Sequence, residues 1–124
     1  MSEHSFPKSE KLKSRTLIAQ LFDTGKAEKS YPVILLWNES VLPINVPVQA
    51  AFTASKRNFK RAVDRNRIKR MMREIYRLNK AELFQHLKEG DRQMAVMLMY
   101  VGKDLPDFAT IQPKIIELLS RLKQ

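Results

Sequence analysis

The sequence predicts an α+β fold: a two-layer sandwich in which three helices pack on one sheet. Three observations carry that reading. The 124 residues suffice for one hydrophobic core and are too few for two. Apolar residues switch along the chain between helical spacing and short β-prone runs. The order of these segments, helix, strands, long helix, strand, helix, suits elements laid on a single sheet. Residues 1–124 are therefore read as a single domain. Residues 1–10, polar and carrying Pro7, are read as a flexible arm.

The first helix is predicted to begin after Ser14, a good N-cap, and to stop at Gly25, with Leu17, Ile18, Leu21 and Phe22 as its apolar stripe. Between Tyr31 and Trp37 the run Val33-Ile34-Leu35-Leu36 is too short for a helix and is β-prone. Pro43 and Pro47 bracket a connection to a strand over 48–55. On that strand Val48, Ala50, Phe52 and Ala54 share one face, and Gln49, Ala51, Thr53 and Ser55 the other. The second face is small and polar, which suits either a solvated sheet surface or the floor of a groove. A long helix runs from about Ala62 toward Gly90, with a break near Asn79. Residues 94–101 read as a buried strand, and a last helix over 111–123 has Pro113 in its first turn. The methionines at 71–72 and 94–99 are expected in the core.

The chain contains no cysteine, which excludes disulfides, thiolate nucleophiles and cysteine-ligated metals. His4 and His86 are too far apart in sequence for ligand or triad spacing, so no catalytic residue, metal site or protein-bound cofactor is expected. No apolar stretch has the length of a membrane helix, and residues 1–10 lack a signal core; a soluble, cytoplasmic protein is expected.

The formal charge is +10, and ten basic residues between Lys56 and Arg77 against Asp64 and Glu74 place +8 of it in 22 residues. Such a concentration points to a polyanion, nucleic acid before membrane. At about 100° per residue, Arg65, Asn66, Lys69, Arg70, Arg73 and Arg77 span roughly 140° of the helix, and Ile68, Met71, Met72, Ile75 and Leu78 the opposite side. The cationic arc holds no acid, and its like charges repel unless an anion offsets them. Guanidinium forks bind phosphate at two points and stack on bases, and Asn66 can donate to ribose or accept from a base. The candidate RNA contacts are therefore Lys56, Arg57, Arg65, Asn66, Arg67, Lys69, Arg70, Arg73 and Arg77. The residues alone describe an RNA-binding subunit without chemistry of its own.

Ser55-Lys56-Arg57, followed by Ala62-Val63-Asp64-Arg65-Asn66-Arg67-Ile68-Lys69-Arg70-Met71-Met72-Arg73, resembles the bacterial ribonuclease P protein component. Leu21-Phe22-Asp23-Thr24-Gly25 is similar to the family's first helix end, and the likeness covers nearly the whole chain. The resemblance implies a mainly antiparallel sheet of about four strands with a left-handed β-α-β crossover that centres the basic helix. It implies binding to the catalytic ribonuclease P RNA and to the single-stranded 5′ leader of precursor tRNA, which the RNA removes endonucleolytically with magnesium ions; neither DNA nor membrane is a partner. Arg65, Asn66, Lys69 and Arg73 would flank a leader groove floored by Ala51, Thr53 and Ser55 and walled by Phe22. The chain departs from the family at Lys60-Arg61, where a glycine is usual and one residue is extra, and at Ile18, where a second aromatic is common. The rival reading is a ribosomal or chaperone-like RNA-binding module whose basic helix meets duplex RNA, with no role in an enzyme.

Overall fold

A computed structural model describes residues 6–123. After a 3₁₀ turn at Lys8–Glu10 come α1 (Arg15–Thr24), β1 (Lys26–Ser30), β2 (Val33–Glu39), β3 (Val48–Ala54), α2 (Ala62–Asn79), α3 (Ala81–Glu89), β4 (Met94–Tyr100) and α4 (Phe108–Arg121). The sheet order is β1-β2-β4-β3. β1/β2 and β2/β4 are antiparallel, whereas β3 and β4 run parallel and are joined through α2 and α3. The α+β class and the four-stranded sheet are as expected.

Helices cover both faces of that sheet. Val33 and Leu35, Val48 and Ala50, and Val96 and Leu98 point into the main core beneath α2, α3 and α4. Leu36, Ala51, Ala95 and Met97 face the other way, onto a smaller core with Leu17, Ile18 and Leu21 of α1. There are four α-helices rather than the three expected, and α1 adds a partial layer to the expected two. The long helix divides at Lys80, which the main core buries at the α2–α3 junction. The alternation read in β3 holds, because a period of two assigns each side chain to one face.

Local chemistry explains the ends of the elements. The Ser14 hydroxyl accepts from the Leu17 amide at 3.2 Å and caps α1. A Cβ at Gly25 would lie 2.4 Å from the Leu21 carbonyl oxygen, so the stop there needs clearance rather than left-handed backbone. In α4 the Asp107 carboxylate accepts from the Thr110 amide at 2.7 Å, which starts the helix three residues before the expected position. Pro113 therefore lies inside the helix rather than in its first turn, and removes one backbone donor.

Strand β1, Lys-Ala-Glu-Lys-Ser, has no apolar alternation and went unread. It is an edge strand held by pairing with β2 and by α4, whose Arg121 donates to the Lys29 carbonyl at 2.9 Å. Nor are residues 6–10 a loose arm. The Phe6 ring packs edge-on to Phe52 at 5.7 Å and Tyr76 at 5.8 Å, Gln49 donates to the Ser9 carbonyl at 3.0 Å, and Glu10 pairs with Lys80. Lys11 and Leu12 then bridge to Ala50 and shield the β3 edge. The first five residues of the expected arm, with His4, lie outside the described residues.

Candidate nucleic-acid interface

The buried side of α2 consists of Ile68, Met72, Ile75 and Tyr76. It is rotated from the sequence-predicted arc by about 50° toward Tyr76, because Phe6 and Phe52 pack around that ring. At about 100° per residue the shift carries Arg65 to the margin of the buried side, between Met72 and Tyr76. Accordingly Arg65 and Lys69 are half-buried, whereas Asn66, Arg67, Arg70 and Arg73 are exposed. Leu78, expected inside, is exposed.

Pairing divides the cations further. Arg77 donates to Glu74 through Nε at 3.1 Å and through a second nitrogen, and this hydrogen bond holds the Glu74 carboxyl below its ordinary range. Arg61 lies 3.8 Å from Asp64. Among the described residues no carboxylate pairs with Lys56, Arg57, Lys60, Arg67, Lys69, Arg70 or Arg73. These free charges form one surface from the turn after β3 along the exposed side of α2.

The turn is tightly built. The Ser55 hydroxyl accepts from the Asn58 amide at 3.3 Å, and the Asn58 side chain donates to the Val101 and Gly102 carbonyls at 3.3 and 3.1 Å. Phe59 is buried, its ring centroid 6.0 Å from that of Tyr100. One guanidinium nitrogen of Arg65 donates to both the Phe59 and Lys60 carbonyls, at 2.8 and 2.9 Å. The loop forms an ordered turn whose four cations, Lys56, Arg57, Lys60 and Arg61, are exposed. Charge patterning missed Asn58 and Phe59; the readable signal was Ser55 three residues before Asn58, a side-chain-bonded turn.

Ala51 and Thr53 lie on the α1 side of the sheet, both half-buried, Ala51 against the smaller core. Ser55 falls just beyond β3, with its hydroxyl engaged in the turn. Phe22 projects from α1 with 59% exposure, while Ile18 packs inward. Trp37 is half-buried against the main core, under the Lys26 ammonium at 4.9 Å, and Tyr31 is exposed. Among the described residues no three His, Asp or Glu side chains are grouped to hold a metal ion, and no helix is long and apolar enough to cross a membrane.

A parallel strand pair crossed over through a cationic helix, with a small-residue strand face nearby, defines a basic α+β protein. Residues 6–123 match the family described as Ribonuclease P, and the chain belongs to it. A ribonuclease P protein component from Chlorobium phaeobacteroides is 35% identical, the match covering 97% of this chain and 89% of the relative. One from Porphyromonas gingivalis is 36% identical, with 93% and 84% covered. The fold is similar to the Staphylococcus aureus RNase P protein, with a TM-score of 0.71 at 14% identity, covering 94% of this chain and 100% of that one. The Thermotoga maritima RNase P protein gives 0.68 at 22% identity, covering 90% and 96%. The chain is the protein subunit of this endoribonuclease.

Proposed function

We propose that the unpaired cationic surface, Lys56, Arg57 and Lys60 in the turn with Asn66, Arg67, Lys69, Arg70 and Arg73 on α2, holds the ribonuclease P RNA and the phosphates of the 5′ leader of precursor tRNA. The leader passes over Ala51 and Thr53, with Phe22 offering a face on which a base stacks. The observation that carries this reading is the run of cations without carboxylate partners, all but the half-buried Lys69 exposed, on a member of this family. Each phosphate neutralised releases condensed counterions, so binding weakens steeply with salt. Guanidinium groups add two-point phosphate contacts, and Asn66 offers both a donor and an acceptor. The protein supplies charge and position, and the cleavage chemistry, with its magnesium ions, belongs to the RNA. Ribonuclease P RNA is therefore the partner and precursor tRNA the substrate, in the cytoplasm.

The test is precursor tRNA cleavage by the ribonuclease P RNA at limiting magnesium, with and without this protein. Addition of protein is expected to restore cleavage and to favour leader-bearing over leaderless tRNA. Unchanged cleavage, or equal binding to any duplex RNA, would support a general RNA-binding module instead.

A further inference from the structure

Arg65 belongs to the most basic segment of the chain, yet its geometry differs from that of its neighbours. Lys69 and Arg73 continue its row one and two helical turns along, and among the described residues neither side chain makes a hydrogen bond or ion pair. Arg65 instead places one nitrogen 2.8 and 2.9 Å from two successive backbone carbonyls, those of Phe59 and Lys60. Both carbonyls lie in the turn that leads into α2, a helix whose N-cap residue, Arg61, makes no side-chain capping bond. The other side of the turn is fixed by Asn58, bonded to the Val101 and Gly102 carbonyls beyond β4. Beneath it the Phe59 ring meets Tyr100, whose hydroxyl donates to the Asp104 carbonyl at 2.7 Å.

We infer that Arg65 and Asn58 are positioning residues rather than RNA contacts: together they lock the 55–60 turn so that Lys56, Arg57 and Lys60 form a preorganised phosphate clamp at the head of α2. The inference rests on the RNA-binding reading above and assigns the roles within it. Lys56, Arg57 and Lys60 are solvent-exposed and carry like charge, so a free loop would splay them apart. Two braces hold them instead, one from α2 and one from the end of β4. Both carbonyls are reached by one terminal guanidinium nitrogen, and a lysine side chain ends one bond short of that position, so its ammonium does not reach the pair from the same backbone. Holding the cations in place before binding removes an ordering cost that a flexible loop would incur in the complex.

The distinguishing comparison is Arg65→Lys against Arg65→Ala, with Lys69→Ala as the reference contact, each titrated with the ribonuclease P RNA over a range of salt. A phosphate contact keeps most of its affinity as lysine, and its loss to alanine lowers the log–log salt slope by about 0.7 to 0.9. A brace behaves otherwise. Arg65→Lys is expected to lose at least tenfold, nearly as much as Arg65→Ala, and both are expected to lower the slope by more than one contact. Retention of affinity within about threefold in Arg65→Lys, or a one-contact slope change in Arg65→Ala, overturns the inference. Asn58→Ala, which alters no charge, is expected to reduce the slope as well, and an unchanged slope also counts against it. If Arg65 variants fold poorly by thermal melting, the decision passes to Asn58→Ala in a background lacking Lys56, Arg57 and Lys60. There it should cost almost nothing, whereas a full tenfold loss in that background refutes the clamp. Failure of the wild-type protein to bind the RNA would instead remove the function proposed above.

Discussion

Lys80, buried at the α2–α3 junction, forms an ion pair with Glu10, 70 residues earlier in the chain. Only 2% of Lys80 is exposed, and its ammonium also lies 5.0 Å from the Phe84 ring centre and 5.8 Å from that of Phe6. The pair therefore pins the N-terminal segment to the point where the long helix divides. Removing one partner leaves the other charge buried, at a cost of about 3–5 kcal/mol, whereas replacing both with apolar residues of similar size is near neutral. Glu10→Leu alone should sharply lower the denaturation midpoint, and Glu10→Leu with Lys80→Met should recover most of the loss. Equal effects from the single and double variants would show that the pair is not coupled.

Tyr76 gives a prediction of opposite sign. Its hydroxyl is buried with no hydrogen-bond partner among the described residues, and burial, aided by the Glu10 charge, raises its pKa well above the ordinary value of 10. An unpartnered buried hydroxyl costs about 1–3 kcal/mol, so Tyr76→Phe should leave stability unchanged or increase it. The pH dependence has a definite direction. Below pH 10 the phenol is protonated in both folded and unfolded chains and contributes no slope. Above it the unfolded chain ionises first, so stability falls by up to about 1.4 kcal/mol per pH unit until the folded pKa is reached. Denaturation at pH 9 and 11 should show a smaller alkaline loss in Tyr76→Phe than in wild type.

What was legible in the sequence followed from periodicity and charge. Ser14 and Gly25 bounded α1, alternation over Val48–Ala54 assigned both faces of β3, and ten cations in 22 residues marked α2 and the turn before it as the cationic segment. What was not legible depended on partners distant in sequence. β1 has a polar pattern that becomes a strand only against β2, and the Phe6–Glu10 segment is ordered by Phe52, Tyr76 and Lys80. The helix wheel of α2 placed Arg65 on the solvent arc because it assumed a buried arc centred away from Tyr76. Packing of Phe6 around Tyr76 moved that arc and brought Arg65 to the turn.

Arg73 is exposed and Lys69 half-buried at the edge of the buried side of α2, and neither has a carboxylate partner among the described residues, so alanine at either position should change stability by no more than about 0.5 kcal/mol. Each substitution should nevertheless weaken precursor tRNA binding and lower the log–log salt slope by about 0.7, one single-stranded phosphate contact. Leu78→Ala, a neighbouring exposed apolar change on the same helix, should leave the slope unaltered. Equal loss of affinity for leader-bearing and leaderless tRNA would assign Lys69 and Arg73 to the ribonuclease P RNA rather than to the leader.

The sheet face beside α1 provides the sharpest test of the leader path. Ala51 packs against the core that contains Leu21 and Met97, so Ala51→Leu should overfill it and lower the melting temperature, at about 1–3 kcal/mol. Thr53, two residues along the same face, is half-buried beside Met99 of β4. Thr53→Trp should therefore leave melting nearly unchanged while obstructing a strand laid over the face. The expected result is a tenfold or greater loss of affinity for leader-bearing precursor, about 1.4 kcal/mol, with little change for leaderless tRNA. Phe22→Ala should act on the same ligand by a different route, removing a stacking surface worth about 1–3 kcal/mol per base from an exposed site. If Thr53→Trp and Phe22→Ala both bind leader-bearing precursor as wild type does, the leader does not cross this face. The cations of α2 would then engage the ribonuclease P RNA alone.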